Sequence, residues 1–412
     1  MPMFSTPLSG LNASSNALSV ISNNLANLNT VGFKEQTASF QDLFYQNIGA
    51  TGGGNPIQVG AGSAVGAVTS DFTNGNFDTS GVPTDVAITG EGFFVTQKDG
   101  GLGFTRNGHF TLQSDGELDT QDGRAVMGYP AINGAIDTSQ NLAPIILGQG
   151  LISPPLATSN LQMTSNLDAS AAVGATFSTP MSVFDTLGVS HILTFQFTKT
   201  GANNWSYNTT IAAPEVGLTG APVSVATGNV TFDGNGVLTS PAGNVTGIAV
   251  TGLADGATDM NFDWNLYDKN NNPMLTQVAS ASTTSTTFQD GYASGTLLNF
   301  NVGSDGVIAG TFTNGKTSPI AQITLARFPN QQGLLRQGSN NYISSLASGD
   351  PVIGTPGDGG RGTVTGGALE QSNVDIATEF SKMIVAQRGF QANAKVVTTF
   401  DEITQDTINL RR

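Results

Sequence analysis

The chain has 412 residues, room for roughly two to four domains, and its 30 acidic against 15 basic residues leave a formal net charge of −15. That balance argues against nucleic acid or an anionic membrane as partner, since both recruit basic surfaces. Only 11% of residues are charged, against about 25% in ordinary soluble domains. The 52 glycines predict many short strands joined by turns, and the absence of cysteine removes disulfides and thiolate metal sites.

The first predicted element is a helix. Phe4, Leu11, Leu18 and Leu25 fall seven apart, with Leu8 between the first two and Ala17, Ile21 and Leu28 beside the seam. This spacing puts an apolar stripe on one helix face. The intervening residues are Ser, Asn and Ala, and no charge occurs before Lys34. A face of that kind suits close packing against another helix, because small amides and hydroxyls are easily satisfied where a buried charge is costly. Gly32 reads as a C-cap. Lys34 to Gln46 reads as a short helix carrying Phe40, Leu43 and Phe44, and Gly49 to Pro56 as a flexible linker.

From Ile57 to about Ile146 the pattern is β, with apolar runs at 86–88 and 93–95 and Asp-Gly pairs at 115–116 and 122–123 that mark hairpins. The same texture returns at 298–328, with Asp305-Gly306 and Asn314-Gly315 as turns. Two such segments far apart suggest one domain split by an insertion. Between them, residues 148–289 show their own strands without helical periodicity and read as an independent β-sandwich or barrel.

The last segment predicts a second long helix, with Ile376, Phe380, Met383, Phe390, Ala394 and Val397 at 4-3 spacing and Phe400, Ile403 and Leu410 continuing it. Ser372 or Asn373 is the expected N-cap, with Asp375 in the first turn and Arg411 and Arg412 at the end, matching the helix dipole. The expected fold is therefore mainly β with α-helical coiled-coil termini, nested as an inner helical domain (1–72 with 363–412), a split β-domain (73–147 with 290–362) and an inserted outer β-domain (148–289).

Motifs for chemistry are weak. Gly60-Ala61-Gly62 with Gly66 lacks the following helix that a dinucleotide loop needs. Asp268-Lys269-Asn270 begins like a calcium loop, but Pro273 and Ala279 occupy positions that require Gly and Glu. With only His109 and His191 in the chain, a histidine triad or metal cluster has little material. No run of 18 apolar residues spans a membrane, and no Lys or Arg precedes an apolar core as a Sec signal requires. No catalysis, cofactor or metal is expected.

The ends carry a sharper signal. Residues 18–33, Leu-Ser-Val-Ile-Ser-Asn-Asn-Leu-Ala-Asn-Leu-Asn-Thr-Val-Gly-Phe, resemble the N-terminal signature of bacterial flagellar rod and hook subunits. Residues 369–375, Phe380, Met383-Ile384 and 386–393 resemble the other end of that family, and 90–95, 105–108 and 325–328 its first β-domain. The resemblance implies a subunit that polymerises with itself through the two helical seams. The large insertion points to a hook-type subunit, forming a curved tubular universal joint that passes motor torque from rod to filament; a distal-rod-type subunit is the alternative. It further implies contacts with a distal rod protein, a hook cap protein and a hook–filament junction protein, and an extracellular place on the flagellum reached through the type III export gate without a Sec peptide. Phe40 and Phe44 resemble the short element by which such subunits dock at that gate; packing in the assembled tube is the competing reading. A secreted β-rich adhesin or fibre is the reading from another class. Its ligand pocket would have to come from Trp205, Tyr207 and Trp264, which otherwise read as sandwich core.

Overall fold

Two helices that begin and end the chain lie antiparallel, because small residues let their backbones approach. A computed structural model describes residues 5–132, 134–148 and 150–409, apart from the Gln46 side chain; Phe4, Leu410, Arg411 and Arg412 lie outside them. α1 spans Ser5–Ala26 and α2 spans Ile376–Asn409. A Cβ built on Gly10 would stand 2.7 Å from Asn393 Nδ2, and one on Gly389 would stand 3.3 Å from Ser14 Oγ. The uncharged Gly/Ala/Ser stripe of α1 therefore faces α2.

Residues 34–46 are not helical. β1 (Gln36–Asp42) and β2 (Tyr45–Ala50) replace the expected short helix. Thr37 and Ser39 are poor helix formers, and the strand is completed by a distant antiparallel partner, β4 (Ser63–Ser70), with Gln36 opposite Ser70. The expected 49–56 linker is likewise the end of a hairpin between β2 and β3 (Pro56–Gly60), turned at Gly54 with φ +83°. Gly32 is not the cap of α1, which ends six residues earlier. Its φ of +68° lets the chain pass the backbone of Arg106, where a Cβ would meet the carbonyl oxygen at 2.7 Å.

The chain divides into two compact units, residues 1–149 with 299–310 and 318–412, and residues 150–298 with 311–317. In the first, strands from before and after the intervening segment pair directly: Phe94 lies opposite Leu325, Tyr129 opposite Gln322, and Phe104 opposite Tyr342. The strand Phe93–Lys98 is buried on both faces. Phe94 joins a core with Val86, Phe110, Val126, Ile308 and Ile323; Phe93 and Val95 join another with Phe104, Phe328 and Tyr342. The Asp-Gly and Asn-Gly pairs are turns, with Gly116, Gly123, Gly306 and Gly315 all at φ between +70° and +87°.

The second unit is a β-sandwich. One sheet holds Asn160–Asp168, Val245–Val250, Met260–Asn265, Leu275–Val278 and Thr283–Gln289; the other holds Thr176–Phe184, Ser190–Gly201, Asn204–Ile211, Val223–Phe232 and Leu238–Ser240. Both contribute to one core containing Trp205, Tyr207 and Trp264, so that trio fills the interior and forms no surface pocket. The stretch 268–272 is a turn closed by Asp268 Oδ1 accepting the amides of Asn270 and Asn272, each at 2.8 Å. The fold is thus mainly β with helical termini.

Candidate functional site

The two chain ends are joined by a buried polar junction. Asn24, on the last full turn of α1, is fully buried. Its Oδ1 accepts the Gln36 amide at 2.9 Å, while its Nδ2 donates to the Gln36 carbonyl at 2.8 Å and to Glu379 Oε2 at 3.0 Å. One side-chain amide therefore pairs with β1 as a strand would and ties it to α2. Glu379, also fully buried, receives Lys382 Nζ at 2.7 Å, and the same ammonium reaches Glu35 at 2.5 Å. Burial lowers the Lys382 pKa, but hydrogen bonds and charge from Glu35 and Glu379 outweigh that and leave it raised.

A second knot lies beneath the first. Glu370 Oε1 accepts Lys34 Nζ at 2.7 Å, Asn74 Nδ2 at 3.0 Å and the Gly75 amide at 3.0 Å; its Oε2 accepts Arg106 at 3.3 Å. Its carbonyl accepts the Gly32 amide at 2.8 Å. One carboxylate thus gathers the end of the N-terminal segment, the 73–75 loop, the β-domain through Arg106 and the run into α2. The side chains of Lys34, Arg106 and Glu370 are at most 1% exposed. Burial, reinforced by the Arg106 charge, pulls the Lys34 pKa down against the attraction of Glu370.

Capping of α2 falls to Asp375, not to Ser372 or Asn373: its Oδ1 accepts the Thr378 amide at 2.7 Å. Asn373 instead accepts the Glu35 amide at 2.7 Å and donates to the Asp71 carbonyl at 2.9 Å.

Of the predicted seam residues, Ile21 is buried; Leu11, Leu18, Leu25, Leu28, Met383, Phe390, Ala394 and Val397 are half-buried; Leu8, Ile376 and Phe380 are about half exposed. A groove of about 660 Å³ between the helices and β1 is lined by Ala13, Ala17, Ile21, Phe40, Val385 and Ala386. Phe40 is about half exposed in β1, and Phe44, in the loop after it, is 91% exposed. They do not share a helix face. Over the described residues α2 has 34 residues against 22 for α1, about 18 Å more at 1.5 Å per residue. Ile403 and Ile408, well beyond the Gly10–Asn393 approach, are exposed. No helix among the described residues is long and apolar enough to cross a membrane.

The helical ends are thus knotted to a β-domain and leave apolar helix surface uncovered. Four family models match parts of the sequence: flagellar basal body rod protein at residues 4–34, the flagellar hook protein FlgE/F/G D1 domain at 87–154, the flagellar basal body protein FlaE D2 domain at 155–292, and the flagellar basal body rod FlgEFG protein C-terminal at 365–410. The flagellar hook protein FlgE of Salmonella typhimurium is 35% identical over 425 residues, covering 99% of this chain and 100% of that protein. FlgE of Treponema pallidum is 34% identical over 455 residues, covering 98% of each. The crystal structure of Helicobacter pylori flagellar hook protein FlgE2 aligns with a TM-score of 0.48 at 15% identity, over 70% of this chain and 98% of that one. The chain belongs to the flagellar hook protein family and is a hook subunit of a homopolymeric flagellar assembly.

Proposed function

We propose that copies of this chain polymerise through the terminal helices into a curved tube, a universal joint transmitting motor torque from rod to filament. The observation that carries this reading is the excess length of α2 and its uncovered apolar residues Ile376, Phe380, Ile384, Ile403 and Ile408. Exposed side chains of this size in series along a helix call for a partner surface, and in a homopolymer the partner is a second copy. The half-exposed Leu8 and half-buried Leu11, Leu18 and Leu25 of α1, with the groove beside Phe40, offer that surface. The role is structural, without catalysis or cofactor. Residues 1–72 with 363–412 form the inner helical domain, 73–147 with 290–362 the split β-domain, and contacts between inserted domains (148–289) set the curvature.

At its ends the tube meets a distal rod protein and a hook–filament junction protein, with a cap protein guiding growth. The subunit leaves the cell through the type III gate, and Phe40 and Phe44, both open to solvent in this chain, dock it there. The test is limited proteolysis of purified monomer with mass readout, then electron microscopy after inducing assembly. Curved tubes from intact protein only, and none after loss of the helical ends, is the expected result. Tubes from protein lacking both ends would overturn it.

A further inference from the structure

The sandwich unit gathers three carboxylates around one buried histidine. His191, 4% exposed, begins the strand Ser190–Gly201. Its Nδ1 lies 2.9 Å from Glu215 Oε2, while its Nε2 faces two carboxylates at once, Asp185 Oδ2 at 3.2 Å and Asp255 Oδ2 at 3.4 Å. One ligand atom each from Asp185, His191 and Asp255 lie within 4.8 Å of one another.

We propose that these three residues form a divalent transition-metal site, zinc foremost, with Glu215 as the positioning residue. Three observations carry it. First, Nε2 stands 3.2 Å from Asp185 Oδ2, at the long limit of an N–H···O hydrogen bond, and 3.4 Å from Asp255 Oδ2, beyond it; both lie close to the separation of about 3.4 Å between ligands placed near 2.1 Å around a tetrahedral ion. Second, the Asp185 and Asp255 side chains lie within hydrogen-bond reach of each other as well as of Nε2, and a single Nε2 proton can be aimed at only one of them, whereas a cation satisfies both. Third, each carboxylate is held for monodentate use. Asp185 Oδ1 accepts the amides of Leu187 (2.9 Å) and Val189 (2.8 Å), and Asp255 Oδ1 that of Ala257 (3.0 Å), so each presents only Oδ2.

Glu215 completes the carboxylate–histidine arrangement typical of metal sites: accepting from Nδ1–H, it fixes the tautomer that leaves the Nε2 lone pair free. It stands on a short 3₁₀ turn, Ala213–Val216, whose Glu215 carbonyl accepts the Ala254 amide at 2.9 Å, coupling its position to the Asp255 loop. Asp185 and His191 are almost fully buried, while the Asp255 side chain is 24% exposed, so the fourth position opens toward water. The mixed imidazole and carboxylate set suits zinc better than calcium or magnesium, which take oxygen alone.

The test is calorimetric titration of the full-length chain with zinc chloride, paired with thermal melts. One equivalent is expected to bind saturably and raise the melting temperature. Asp255→Asn, a partly exposed position chosen to spare folding, should weaken binding by at least 100-fold. Glu215→Gln should weaken it by about 10–100-fold. No saturable binding by the native chain would overturn the proposal in favour of a protonated histidine bridging the carboxylates. Binding unchanged by Asp255→Asn would overturn it as adventitious surface zinc.

Discussion

Replacing Glu370 with Ala strands two cations, Lys34 and Arg106, in a dry interior. Breaking a buried pair on one side costs about 3–5 kcal/mol, since the unpaired charge keeps its desolvation penalty. Denaturant unfolding of Glu370→Ala should show a loss of that size; a loss below 1 kcal/mol would mean that water reaches the knot. Lys382 makes a pH prediction. Its pKa is raised above the ordinary 10.5 in the folded chain, so its contribution is complete below 10.5 and fades as pH rises through the higher folded value. Alkaline titration should loosen the junction in native protein and do so less in Lys382→Met, with hydrogen exchange at Gln36 as the readout. None of these partnerships is legible from spacing. Glu370 lies 336 residues from Lys34, and Asn24 lies 355 from Glu379. His191 reads as isolated for the same reason, because Glu215 and Asp255 reach it from separate loops.

The elements that reveal themselves locally are those whose pattern is local. α1 and α2 follow helical periodicity, and Asp-Gly pairs fix their own turns through positive φ. Residues 36–42 carry no such rule; Gln-Thr-Ala-Ser-Phe becomes a strand because β4 pairs with it and Asn24 clamps its start. Tertiary partners override weak propensity there. The α1–α2 approach depends on glycine, so Gly10→Val should force the helices apart: a Cβ would already crowd Asn393 at 2.7 Å. Assembly of that variant, followed by light scattering, should fail while the β-units keep their native melting behaviour. The Asp375 cap adds an acid limit. Its pKa is held down mainly by hydrogen bonding to Thr378, so helix-start stability is present above the ordinary carboxylate range and lost as pH falls through the folded value. Asp375→Ala should fray residues 376–379 at neutral pH and abolish that acid dependence in amide exchange.

For the whole molecule, the sandwich has its own core of 22 buried residues and should be removable. Deleting 148–289 and rejoining the chain is expected to leave polymerisation intact and yield straight tubes in electron micrographs. Absence of any polymer would refute the assignment of assembly to the ends and curvature to the insertion. A secretion assay separates the remaining role: Phe40→Ala with Phe44→Ala should reduce export of the chain several-fold while purified protein still polymerises.

The Asn24–Glu379 link also has a kinetic meaning. Closing a contact across 355 residues is entropically slow, and it needs the final segment of the chain. Sandwich strands can pair as soon as they emerge, but β1 finds its full set of partners only when α2 arrives. A copy truncated before α2 would leave Asn24 without its Glu379 acceptor and Glu35 without the Lys382 cation, and would lack the helix that packs against α1. The junction therefore closes only once residues 379–382 are present, and a chain cut before them has no such link between its two ends.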